Sequence, residues 1–119
     1  MKFVALASGQ GSNLAALLQA EKEGRLNGAQ IVGLVVNRPN CGALQHAANF
    51  QLPAAIVDHR AFDTRAAFEA ELLIAVAEFS PDALVLAGFM RILTPYFLAR
   101  FEGPLVNLHP ALLPAFPGA

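Results

Sequence analysis

Apolar positions in this chain fall into two rhythms that alternate along its length. Residues 3–7, FVALA, form a short continuous apolar run, the pattern of a strand buried on both faces. Leu14, Leu17 and Leu18 then recur at helical spacing and predict a helix reaching about Glu23. Gly24 and the Asn27-Gly28 pair break the chain, and residues 31–36 return to a buried-strand pattern. After a loop at residues 37–40, residues 43–50 predict a short helix and residues 54–57 a third, shorter strand. Phe68, Leu72, Val76 and Phe79 carry the longest helical rhythm. It predicts a helix from near Thr64 to Phe79, capped by Asp63 or Thr64, with Glu69, Glu71 and Glu78 largely on its other faces. Residues 83–87 predict a fourth strand, and residues 93–101 a helix with Pro95 in its first turn. Gly103-Pro104 turns the chain into a fifth strand at residues 105–108.

Strand and helix in regular alternation predict an α/β fold, a Rossmann-like parallel sheet with helices on both faces. Ligands of such sheets gather at the carboxyl ends of the strands. Residues 8–13, 37–41, 88–93 and 107–110 fall at those ends, and residues 58–65 follow the third strand at the same edge.

Composition narrows the picture. The 119 residues fit one domain, and 55% apolar against 14% charged residues excludes a disordered chain. A net charge of −1 gives no bulk attraction to nucleic acid or to an anionic membrane, so an anionic ligand needs a local site. Cys41 is the only cysteine, which rules out an internal disulfide and fits a reducing cytosol. No His or Asp pattern marks it as a nucleophile. The opening apolar run is too short for a secretory signal, and no run approaches membrane-spanning length. A cytoplasmic protein is expected. His46 and His59 have no second ligand at suitable spacing, so no metal is expected.

The loop SGQGSN at residues 8–13 follows the first strand. Gly9 and Gly11 match the start of the dinucleotide fingerprint, but Leu14 stands at its third glycine and no acid ends strand two. The ATP-type loop fails as well, since no Lys-Ser or Lys-Thr follows. A single phosphate on the helix N-terminus remains, with Gly11 admitting the anion and Ser12 and Asn13 adding donors. Spacing alone leaves a plain tight turn, capped by Ser12 or Asn13, equally open.

LVNLHPALLP at residues 105–114 places Asn107 and His109 two apart at a strand end, on the same side. An amide donor beside an imidazole suits a developing oxyanion and proton movement near neutral pH. A histidine that only bonds a loop carbonyl is the other reading of the pair. LAGFMRILTP at residues 86–95 ends the neighbouring strand. There Met90, Ile92 and Leu93 either wall a flat apolar pocket or pack on the core.

SGQGSNL, LAGFMRIL and LVNLHPALLPAFPG, in this order and spacing, resemble the phosphoribosylglycinamide formyltransferases of purine biosynthesis, over essentially the whole chain. The resemblance implies the formyltransferase fold and transfer of a formyl group from 10-formyltetrahydrofolate to the amine of glycinamide ribonucleotide. It implies that Gly11, Ser12 and Asn13 hold the substrate phosphate. It implies that Met90, Arg91, Ile92 and Leu93 line the folate pocket, with main-chain groups reading the pterin edge, and that Arg65 contacts the folate. A solvated residue in the first turn of its helix is the plain alternative for Arg65. Asn107 would bind the formyl oxygen, in contact with the folate's reactive end, and His109 would act as general acid or proton shuttle, with no metal.

The family domain is longer than this chain, and the aspartate that serves its histidine has no counterpart here. The chain therefore reads as the N-terminal part of one formyltransferase domain, truncated after the fifth strand. A sheet cut there exposes an apolar edge, which invites self-association. Ala111 stands where many relatives carry Ser. The alternatives are a formyltetrahydrofolate deformylase, a methionyl-tRNA formyltransferase, or a phosphate-binding fragment without catalysis. The 11–13 loop argues against the first two.

Overall fold

A computed structural model of the protein describes residues 1–91 and 93–108. Among these, five parallel strands form one sheet: β1 (Lys2–Ala7), β2 (Gln30–Val36), β3 (Ala54–Ile56), β4 (Ala83–Leu86) and β5 (Leu105–Asn107). Their order across the sheet is β3-β2-β1-β4-β5. The helices are α1 (Ser12–Lys22), α2 (Ala43–Asn49), α3 (Arg65–Ala77) and α4 (Pro95–Arg100), with a 3₁₀ turn at His59–Ala61. None of the described helices is long and apolar enough to cross a membrane.

β1 runs through the middle, and its side chains alternate between two cores. Ala5 and Ala7 face Leu14, Leu17 and Leu18 of α1 and Ala43 and Ala47 of α2. Val4 and Leu6 face Phe68, Leu72 and Val76 of α3 and Phe97 of α4. The helices thus cover both faces, as the alternation of elements predicts.

β2 breaks this parity. Its pairing with β1 shifts register between Phe3 and Val4. A bulge turns the residues beyond it to the opposite face, so Ile31 and Leu34, three apart, lie in the same core. Gly33 sits beside the shift, and a Cβ there would lie 2.5 Å from the Phe79 ring. Phe79 fills that space from beyond the end of α3, which stops at Ala77, short of the expected boundary.

Three other expectations change. The 93–101 helix starts only at Pro95, because a residue before proline is pushed out of the helical region, and Thr94 is extended at φ −87°, ψ 168°. The 3₁₀ turn is absent from the sequence reading; Asp58 Oδ1 starts it by accepting the Arg60 N–H at 3.0 Å. Glu69, expected largely off the apolar face, is 1% exposed.

The strand order reverses between β1 and β4. The chain builds outward from β1 to β3 and then crosses back to place β4 on the other side of β1. The loops leaving β1 and β4 diverge to opposite faces there, and the crevice between them is the usual ligand position.

Candidate functional site

The loop after β1 is shaped by backbone. Gly11 is the N-cap of α1 in a left-handed conformation, φ 85° and ψ 19°, with no side-chain cap. Its carbonyl accepts the first helical bond, from Ala15 at 2.8 Å. Ser12 and Asn13 therefore lie inside the first turn, and the tight turn capped by either of them is not what forms. Glycine is required here on two counts: the conformation is costly for other residues, and a Cβ would lie 2.5 Å from Ala43 Cα. The loop rests against the start of α2, where Ala43 N–H donates to the Gly9 carbonyl at 3.2 Å.

Ser12 is exposed and Asn13 half-buried. Asn13 Nδ2 lies 3.7 Å from where a Cβ on Gly88 would stand, so the loops leaving β1 and β4 face each other. Gly88 also has positive φ, 80°.

The loop after β4 is shaped by side chains from elsewhere. Ser8, fully buried, accepts the Met90 N–H on Oγ at 2.7 Å and donates its own N–H to the Gly88 carbonyl at 3.2 Å. Glu69 on α3 accepts the Thr94 N–H at 2.9 Å and a short hydrogen bond from the Thr94 hydroxyl. The Met90 side chain between these anchors is 76% exposed. Arg91 is half-buried, its guanidinium 6.0 Å from the Phe68 ring centre and its buried Nε without a hydrogen-bond partner among the described residues. Leu93 packs partly on the α3/α4 core. Arg65 is exposed at the first position of α3, one turn before Glu69. Ile92 lies outside the described residues.

Asn107 ends β5, paired with Leu86 of β4 and exposed. The next residue, Leu108, donates to the Leu86 carbonyl at 3.0 Å and is buried. His109 and the residues after it lie outside the described residues. Gly11, Ser12, Asn13, Met90 and Asn107 thus share the carboxyl edge of the sheet.

A third loop follows β3. His59 Nδ1 lies 2.9 Å from the Asn37 carbonyl oxygen and 3.3 Å from Asn37 Nδ2. With the His59 backbone N–H on the same carbonyl at 3.2 Å, these contacts tie the 3₁₀ turn to the residue after β2. Asp58 makes a two-pronged pair with Arg60, with contacts of 3.1 Å to Nε and Nη2. Those bonds hold the Asp58 carboxyl below its ordinary range and raise Arg60. Ser8 and Glu69 are the site-edge residues that sequence reasoning missed. Ser8 stands in the glycine loop and reads as a turn residue. Glu69 adjoins Phe68, but Glu78 likewise adjoins Phe79, so its neighbours do not mark it out.

Comparisons with known proteins agree with the fold. The family model for formyl transferase matches residues 1–119. The phosphoribosylglycinamide formyltransferase of Escherichia coli (strain K12) is 39% identical over 118 residues, which are 99% of this chain and 55% of that protein. The trifunctional purine biosynthetic protein adenosine-3 of Gallus gallus is 38% identical over 119 residues, 12% of its length. The solved phosphoribosylglycinamide formyltransferase of Coxiella burnetii superposes with a TM-score of 0.85 at 35% identity, over 99% of this chain and 55% of that one. The chain spans about half the length of the bacterial relative. With the full-length family match, the parallel sheet and this shared sheet edge together, the chain belongs to the formyl transferase family.

Proposed function

We propose that this chain carries the substrate-facing half of a glycinamide ribonucleotide formyltransferase, with 10-formyltetrahydrofolate as the formyl donor. The observation that carries this reading is the joining of two loops at one sheet edge, through the Ser8–Met90 hydrogen bond and the approach of Asn13 to Gly88. One loop suits a phosphate. The first amides of α1 have no partner within the helix, and the helix dipole favours an anion there. Gly11, Ser12 and Asn13 are assigned to the ribonucleotide phosphate. The other loop suits a flat, partly apolar ring system that is read by main-chain groups. Met90, Arg91, Ile92, Leu93 and Arg65 are assigned to the folate.

The reaction joins the two ligands. The substrate amine attacks the formyl carbon, and negative charge builds on the formyl oxygen. Asn107 donates its amide N–H to that oxygen, and a protonated His109 donates more strongly. Collapse of the tetrahedral intermediate breaks the bond to the folate nitrogen, which takes up a proton as the amine loses one. His109 moves that proton. The attack is direct, so no covalent enzyme intermediate forms.

The test is consumption of formylfolate with and without glycinamide ribonucleotide. Transfer requires the ribonucleotide, a deformylase would need only water, and a phosphate-binding fragment would consume none. In the active enzyme, Asn107→Ala and His109→Ala should each lower turnover by about 10²- to 10³-fold, the usual effect of losing one oxyanion donor. Near-normal turnover in either variant refutes its assignment.

A further inference from the structure

We infer that Glu69 and Ser8 are positioning residues of the folate subsite, which hold Thr94 and Met90 at the two ends of the loop after β4. The inference rests on the formyl-transfer reading for the identity of the ligand. Its geometry stands independently of that reading.

Glu69 is an unlikely residue to find where it is. It follows Phe68 on the inner side of α3 and is 1% exposed. Burying a carboxylate is costly unless its oxygens are hydrogen-bonded, and apolar replacements of buried charges are often neutral or stabilising. A leucine would therefore serve the core as well. Leucine cannot do what both Glu69 oxygens do, which is to bind Thr94 twice, through its N–H at 2.9 Å and through its hydroxyl. Thr94 is where the loop after β4 enters α4, and its own side chain caps nothing. The carboxylate thus sets the exit of the loop.

Ser8 sets the entrance. Its fully buried hydroxyl accepts the Met90 N–H at 2.7 Å, and its N–H holds the Gly88 carbonyl. Between the anchors the Met90 side chain points to solvent, 76% exposed. A ligand read by main-chain groups needs those groups held in place before it arrives, since ordering them on binding costs affinity. Glu69 also shares α3 with Arg65, one turn away, so one helix carries an expected folate contact and the anchor of the folate loop.

The two anchors differ in reach. Among the described residues the Glu69 carboxylate is hydrogen-bonded to Thr94 alone, whereas Ser8 also begins the loop after β1. Loss of Glu69 should weaken folate binding alone. Loss of Ser8 should weaken both ligands.

The experiment measures dissociation constants of the purified protein for 5,8-dideazafolate, a non-reacting folate, and separately for glycinamide ribonucleotide. Hydrogen exchange at the Thr94 amide is followed alongside. Glu69→Leu should raise the folate constant about tenfold, the scale of one lost hydrogen bond to a charged group, and leave the ribonucleotide constant unchanged. Thr94 should exchange faster. Glu69→Gln should recover most of the affinity, because its amide oxygen still accepts the Thr94 N–H and its NH₂ donates to the hydroxyl. Should Glu69→Leu not fold, Thr94→Val removes the hydroxyl contact alone and should shift the folate constant in the same direction. Faster Thr94 exchange with unchanged folate binding would overturn the inference, as would equal weakening of both ligands. An unmodified protein that binds ribonucleotide but no folate would overturn the formyl-transfer reading instead, and this inference with it.

Discussion

The loops leaving β1 and β4 meet at the same crevice but are held in different ways. The first is fixed by its own backbone: a left-handed Gly11, packed so tightly on Ala43 that no side chain fits. The second contains a left-handed Gly88 where a Cβ would fit, in ordinary contact with Asn13 Nδ2, and takes its shape from Ser8 and Glu69. A loop seated by its main chain against a neighbouring helix depends on that contact. One held by side chains is only as stiff as the elements that carry them. In the proposed reading the first loop meets a single phosphate and the second a larger ring system, whose main-chain contacts the two side-chain anchors hold in place.

Substitution can break this contrast, beginning with its strongest element. Gly11→Ala meets both a disfavoured φ and the Ala43 backbone, and should cost about 2–4 kcal/mol in chemical denaturation. Gly88→Ala has nearly the same φ but meets only Asn13 Nδ2 at 3.7 Å, and should cost about 1–2 kcal/mol. Equal losses at the two glycines would mean that packing adds nothing to the first loop. Ser12→Ala should change stability by less than about 0.5 kcal/mol, since Ser12 caps nothing, while raising the dissociation constant for glycinamide ribonucleotide. A larger loss of stability would show the hydroxyl acting as a cap after all.

The smallest effect is expected in the third loop, whose Asp58–Arg60 pair is local like the first. Because the native Asp58 carboxyl is held below its ordinary range, its contribution is present above about pH 4 and is lost as the pH falls through the lowered native value. Asp58→Asn should lower the melting temperature slightly near neutral pH and leave it unchanged in strong acid. An equal decrease at both would place the effect in the turn and not in the charge.

The same contrast explains what could be read from the sequence. Alternating apolar rhythms carried all five strands, and Leu14, Leu17, Leu18, Phe68, Leu72 and Val76 are buried as their spacing predicts. Gly11 was singled out as room for an anion, but what requires glycine there, a left-handed φ and the packing of α2 through Ala43, was not legible. The bulge in β2 was not legible, because Phe79 of a distant element fills the space it makes. Nor were the anchors of the second loop. Ser8 and Met90 are 82 residues apart, and Glu69 and Thr94 are 25 apart. Local rules of turn and cap say nothing at such separations. The place of Asn107 at a strand end was legible because a strand end needs only its own neighbours.

The central place of β1 also sets a timetable for synthesis. Its first partner, β2, begins at Gln30, but its other edge waits for β4, where Phe3 pairs with Ala83. At ribosomal speeds of about 5–20 residues per second, that edge stays unpaired for roughly 4–16 s after β1 is made. Met90 follows later still, so the bond that joins the two loops forms only after the sheet has closed around β1. Until then, the nascent chain exposes an apolar strand of the kind that chaperones bind.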